Sequence, residues 1–457
     1  MALHLRNFIY LGIFLSSFLG STCAESKDLQ ALSLLDLEKI ALSENKALNS
    51  KIALEGKVRA EKKLSLSKWL PDLQGTYYVK KYEHPSTDSD NPEGTYSGSL
   101  ELTQKIFQLD LIYQNQVDSI KYSIQKLVTD TSRLKLLYDV RVHFFELSYQ
   151  KEMIDLSLRK IKLLQDTAKE IEGRYKLGAA TLYDVNQAKV YISGAEPAYF
   201  SAVRRLKQSQ DQLKKLIGRR PKERAEFQAA SLDPNAKDLK QYLKQREIKG
   251  LCNHLNREPK LIHTWYEQWE QIALNRRPDI AILRQKERMA EKEVKKAKAQ
   301  YAPSLSGFVK VASDETAKMN QQTYDWNLGL ELDIPIFKGL GRYRKYQAAK
   351  FQKRAQRFDL ESGLEQMELE VRDQCHLLDE AMSNFFAAKS SYHLAQEGLD
   401  QAKNKYSLGY TTLVEYETAI EALFGAEVNY HKARFELLKA YYGLRLVSAA
   451  DLNEMKR

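Results

Sequence analysis

The sequence predicts a mainly α-helical chain with a few transmembrane β-strands, written as a duplicated helix–strand–strand–helix unit. Three observations predict it. First, Arg174–Gly218 aligns without a gap on Lys405–Ala449 at an offset of 231, with 13 of 45 positions identical. Second, Thr323–Ile334 and Thr95–Thr103 alternate strictly between apolar and polar residues, the period of a half-buried strand. Third, Asp110–Arg174 and Arg342–Tyr406 contain no proline, and a continuous helix of that length runs about 100 Å. No ordinary globule holds such a helix. The whole chain of 457 residues has only 10 prolines and 20 glycines, too little turn punctuation for an all-β fold.

The elements follow in order. Residues 1–24 read as a secretory signal peptide: Arg6 is the only charge before Glu25, Phe8–Leu19 is apolar, and Thr22-Cys23-Ala24 offers a small-residue cleavage site. The apolar run is too short to span a bilayer. Lipidation at Cys23 is the alternative, but Gly20 and Thr22 stand where a lipobox has leucine and a small residue. Export settles the meaning of the formal +11 charge. An exported chain does not normally meet nucleic acid, so none is expected as a partner.

The first structural repeat is read over 25–218. A helix over about 29–70 leads into strands at about 72–83 and 95–106. In the second strand Tyr96, Gly98, Leu100 and Leu102 alternate with Thr95, Ser97, Ser99, Glu101 and Thr103. A long helix over about 109–174, a tip at 175–181 and a helix over 181–217 follow, the last with Pro197 expected to kink it. Segment 219–271 loses periodicity and carries Pro221, Pro234 and Pro259.

The second repeat is read over 272–457. A helix at 274–300 precedes strands at about 303–312 and 323–335, then a long helix at about 342–406, a tip at 406–412 and a helix at 411–447. In that last helix Leu413, Tyr416, Ile420, Leu423, Ala426, Tyr430, Ala433, Leu437, Ala440, Leu444 and Val447 form a coiled-coil seam. Lengths suggest that 181–217 and 274–300 stack end to end along the first long helix. By the same argument 411–447 and 29–70 would stack along the second.

Four strands cannot close a membrane barrel, and an open edge in lipid leaves backbone groups unpaired. Barrels start at eight strands, so two copies give eight and three give twelve. No metal-ligand spacing, phosphate loop or nucleophile elbow occurs, so no enzyme, metal or cofactor is expected.

Around the first tip, Tyr175, Leu177, Gly178, Thr181, Leu182, Asp184, Val185 and Ala188 resemble the tip pattern of the TolC-like outer-membrane efflux proteins. Tyr406, Leu408, Gly409, Thr412 and Leu413 resemble it again, and the likeness covers nearly the whole mature chain in both halves. The resemblance implies a homotrimer whose protomers each give four strands to a twelve-stranded outer-membrane barrel, continuous with a long periplasmic α-helical barrel. It also implies a passive exit duct for efflux or type I secretion. The partners implied are a periplasmic adaptor (membrane fusion) protein, an inner-membrane pump of the RND, ABC or MFS type, and outer-membrane lipid. Segment 219–271 would form an equatorial collar. Adaptor docking maps to Leu177, Gly178, Leu408 and Gly409. The periplasmic gate and lumen map to Asp184, Tyr406 and Glu415, with Glu417 assisting. Thr411 stands where the family carries a gate arginine, and Glu415 and Thr418 where it carries two luminal aspartates, so a differently held gate is expected. The alternative is a periplasmic coiled-coil scaffold or adaptor without a pore, although an adaptor usually has one hairpin and this chain has two.

Overall fold

The computed structural model describes residues 32–81, 94–220, 222–223, 227, 259–316, 322–337 and 339–452. The leader and Cys23 lie outside the described residues, as does most of 219–258. Helices α1 (Leu34–Glu44) and α2 (Lys46–Ser67) lead into β1 (Asp72–Lys81) and β2 (Gly94–Gln108). Then come α3 (Leu109–Lys176), α4 (Leu182–Leu216), α5 (Pro259–Arg276) and α6 (Pro278–Ala299). The second half continues with β3 (Ser304–Thr316), β4 (Gln322–Asp333), α7 (Gly341–Ser407) and α8 (Leu413–Val447), closed by a short turn at Ala450–Leu452.

The duplication holds to the level of single caps. Helices α3 and α7 have 68 and 67 residues, and α4 and α8 have 35 each. Thr181 and Thr412 both cap the returning helix, their side chains accepting from the amides of Asp184 and Glu415. Gly218 has φ +77°, and its counterpart Ala449 has φ +51°. Helix α4 stays one helix through Pro197.

The four strands form one antiparallel sheet in the order β1-β2-β3-β4. Each strand feeds, or is fed by, one helix, so α2, α3, α6 and α7 leave the sheet side by side in the same order. This corrects one expectation. Residues 46–67 pack along α3, where Ser65 hydrogen-bonds Asn115, and α6 takes the place beside α7. The stacking of α4 and α6 along α3, and of α8 along α7, is as expected. A second correction concerns 274–300, which is two helices. Arg277 separates them, Pro278 opens α6, and the Arg277 guanidinium lies 2.7 Å from Glu370 on α7.

The main apolar core sits at mid-tube, where α1, α3, α4, α7 and α8 meet around Leu37, Val140, Leu147, Leu213, Val371 and Leu437. The seam expected in α8 is buried at Leu413, Tyr416, Ile420, Ala426, Ala433, Leu437 and Leu444. The same level ties the chain together by charge. Arg141 of α3 donates to Glu38 of α1 and to Asp451 beyond α8, both at 2.6 Å. Phe227 is buried against this level, paired with Leu32, its carbonyl accepting from Lys151 at 3.2 Å. No described helix is long and apolar enough to cross a membrane.

Candidate functional site

The residues singled out by the sequence fall in two places, the helical tips and the sheet. At the first tip the amide of Gly178 donates to the Tyr175 carbonyl (3.0 Å) and that of Ala179 to the Arg174 carbonyl (2.8 Å). At the second, Gly409 donates to Tyr406 (3.1 Å) and Tyr410 to Lys405 (2.9 Å). Both are Schellman closures with glycine at φ +73° and +77°, a conformation that strains other residues. The glycines are therefore explained by the turns. The leucines are not: Leu177 and Leu408 are 85% and 70% exposed. Tyr410, Tyr183, Leu182 and Val414 are exposed beside them.

The residues expected at a gate fall into two different settings. Asp184 closes a capping box, its Oδ2 accepting from the Thr181 amide (2.9 Å) and hydroxyl (2.7 Å). Thr181→Ala is expected to cost about 1 kcal/mol of local stability, read as faster amide exchange over the first turn of α4. Glu415, its counterpart, receives no such bond from Thr412. The Glu415 amide donates to Thr412 at 3.3 Å, and the carboxylate stays exposed.

Tyr406 is half-buried between the repeats. Its ring stacks on Tyr416 at 5.2 Å, and the Arg174 guanidinium lies 4.7 Å from its centroid. Burial pushes both tyrosine hydroxyls above their usual range. Arg174 directly precedes the first tip. Sequence reasoning missed its role because the pairing joins residues from different repeats.

Glu417 corrects another expectation. It is buried inside the protomer rather than beside Glu415. Burial, with Glu421 one turn on, pushes its carboxyl up to about 7. Among the described residues no group of three or more His, Cys, Asp or Glu is placed to hold a metal ion.

The sheet has one apolar and one polar face. The register aligns Leu73, Leu102, Val309 and Leu328 in one row, and Gly75, Leu100, Val311 and Trp326 in the next. These side chains are exposed, Trp326 by 75% and Leu328 by 70%. The other face carries Thr76 and Ser99, hydrogen-bonded at 2.7 Å, and the Glu101–Lys310 pair at 4.0 Å. Gly329 lies there against the ring of Phe308, whose Cζ would sit 2.8 Å from an added Cβ. Among the described residues, β1 and β4 are the unpaired edges of the sheet.

The outer membrane efflux protein family model matches residues 37–219 and again 269–450. The chain belongs to the outer membrane efflux protein family. Membership makes it an outer-membrane exit channel of efflux or secretion systems, with a periplasmic tunnel; the family is a channel class, not an enzyme class. The alkaline protease secretion protein AprF of Pseudomonas aeruginosa is 22% identical over 194 residues, 41% of this chain and 40% of that protein. The match to the outer membrane protein TolC of Escherichia coli K12 is 20% identical and covers 94% of this chain and 83% of TolC. The open-state MtrE outer membrane channel of Neisseria gonorrhoeae matches the fold with a TM-score of 0.73 at 18% identity, covering 91% of this chain and 88% of that one.

Proposed function

We propose that three copies close their open sheet edges into a twelve-stranded barrel, and that the trimer is the passive exit duct of a tripartite export machine. The observation that carries this is the four-stranded sheet, apolar and exposed on one face, polar on the other, with both edges unpaired. Lipid covers the first face, water fills the lumen behind the second, and the edges pair between copies. In this reading β4 of one protomer meets β1 of the next.

The tips dock a periplasmic adaptor through Leu177 and Leu408, with Gly178 and Gly409 setting the turns that present them. The adaptor links the duct to an inner-membrane pump. The gate is held within each protomer. Arg174 and Tyr416 fasten Tyr406, which supplies a tie where Thr411 replaces the family's arginine. Asp184 is spent on its cap, and Glu415 provides the free carboxylate for a three-fold luminal ring.

Planar-bilayer recording of the purified trimer tests the reading: a small, cation-selective conductance is expected. Arg174→Ala is expected to raise it several-fold. Glu415→Ala is expected to weaken block by divalent cations added from the tip side, and unchanged block would remove Glu415 from the lumen. Recovery of the protein as a soluble monomer without conductance would overturn the channel reading.

A further inference from the structure

About half-way up α8 a polar cluster crosses from one repeat to the other. His431 Nδ1 lies 2.5 Å from Glu152 Oε2 on α3, and Nε2 lies 3.7 Å from Glu427 Oε1 one turn away on α8. Arg434 reaches Glu152 at 3.8 Å, and Arg159 of α3 reaches Glu427 at 2.6 Å. From α7, Tyr392 stacks on Tyr430 at 5.6 Å and lies close enough for the Glu427 charge to act on its hydroxyl. Glu427 and Arg434 are buried, and the His431 side chain is 14% exposed.

The fold does not require this cluster. At the repeat offset, α4 carries Phe200 where α8 has His431 and Val203 where it has Arg434. An equivalent helix is thus built without imidazole or guanidinium at those places. Buried charge adds little net stability and is costly once half broken, so a cluster present in one copy alone points to a task outside folding.

We propose that His431, with Glu152 and Glu427, is a charge-dependent fastener that positions α8 against α3 and sets how tightly the second tip closes. The inference rests on the channel reading. The charged ring forms ion pairs with both carboxylates, and the pair with Glu152 is the one that joins α8 to α3. Once neutral, His431 no longer balances the Glu152 charge, and that cross-repeat ion pair is lost. Burial works against the charged ring, but Glu152 and Glu427 outweigh it and hold its pKa above the ordinary histidine range. Burial likewise opposes ionised Glu427, and His431 and Arg159 outweigh it, keeping that carboxylate charged. The sign follows: a raised histidine pKa gives a tie that is complete below about 6.5 and lost as pH rises through the raised value. Below the cluster α3 and α8 are joined by Lys160–Glu421 at 2.7 Å, and the tip follows the seam above it.

The test is bilayer conductance of the full-length trimer as pH is raised from mildly acidic to alkaline. Wild type is expected to open several-fold on the alkaline side. His431→Gln should conduct at the high level already at acidic pH and lose the rise, and His431→Lys should stay low throughout. Glu152→Gln, which leaves α8 untouched, should match His431→Gln, with trimer migration on gels confirming assembly. Glu417→Gln removes the other carboxyl titrating near neutrality, and the alkaline rise should survive it. The fastener is overturned if His431→Gln keeps the wild-type profile, if the rise vanishes in Glu417→Gln, or if an open wild-type channel shows no pH dependence. A wild type without conductance at any pH would fail the channel reading instead.

Discussion

Arg141→Met is expected to destabilise the protomer by about 3–5 kcal/mol, the cost of breaking a buried ion pair from one side. Arg141 lies between Glu38 and Asp451, its side chain only 10% exposed, with its guanidinium 5.1 Å from the centre of the Tyr442 ring. Methionine keeps the stem's packing and removes the charge. Asp451 retains Arg445, so Glu38 is the carboxylate left stranded, and α1 loses its tie to α3. Glu38→Gln removes the stranded charge, so the double variant is expected to recover part of the loss. Thermal dissociation of the trimer and urea unfolding of the detergent-solubilised protein measure it. A Met variant as stable as wild type would show that the mid-tube core holds α1 without the clamp.

Much of this architecture is legible in the sequence, because its signals are local. Alternation marked β1–β4 to within a few residues, and the absence of proline marked α3 and α7. The seam from Leu413 to Leu444 marked the buried face of α8. What was not legible is which neighbour a face meets. Length alone suggests a place for the helix over 29–70, and only the strand order puts α2 on α3. The break at Arg277 was open to view in Pro278, yet an apolar pattern running across it read as continuous. At the first tip, local rules describe Asp184 well, since Thr181 and Asp184 are three residues apart. They are silent on Arg174 over Tyr406 and on Glu152 beside His431, where the partners are joined only by the packing of one repeat on the other. Glu417 and Glu415 illustrate the same limit at short range. Two positions apart on a helix, they face different ways: one is buried, its carboxyl pushed up to about 7 by burial and by Glu421, and the other stays exposed.

Leu328→Arg is expected to abolish accumulation of the trimer in the outer membrane, whereas Asp325→Arg is expected to assemble and to shift ion selectivity toward anions. The two residues share β4 and differ in the face they occupy. Leu328 pairs with Val309 on the apolar side, and Asp325 with Ala312 on the polar side. An arginine on the lipid face costs about 2–4 kcal/mol near the bilayer midplane, and a closed trimer meets that cost three times. On the luminal face the same side chain stays in water and changes only the field that passing ions feel. Outer-membrane fractionation with gel migration of the trimer reads the first effect, and reversal potentials in a salt gradient read the second. If Leu328→Arg assembled normally, the apolar face would be packed against protein rather than lipid. If Asp325→Arg failed as Leu328→Arg does, the polar face would not line water. Either result would separate the sheet from the barrel, and the unpaired edges of β1 and β4 would then need another partner.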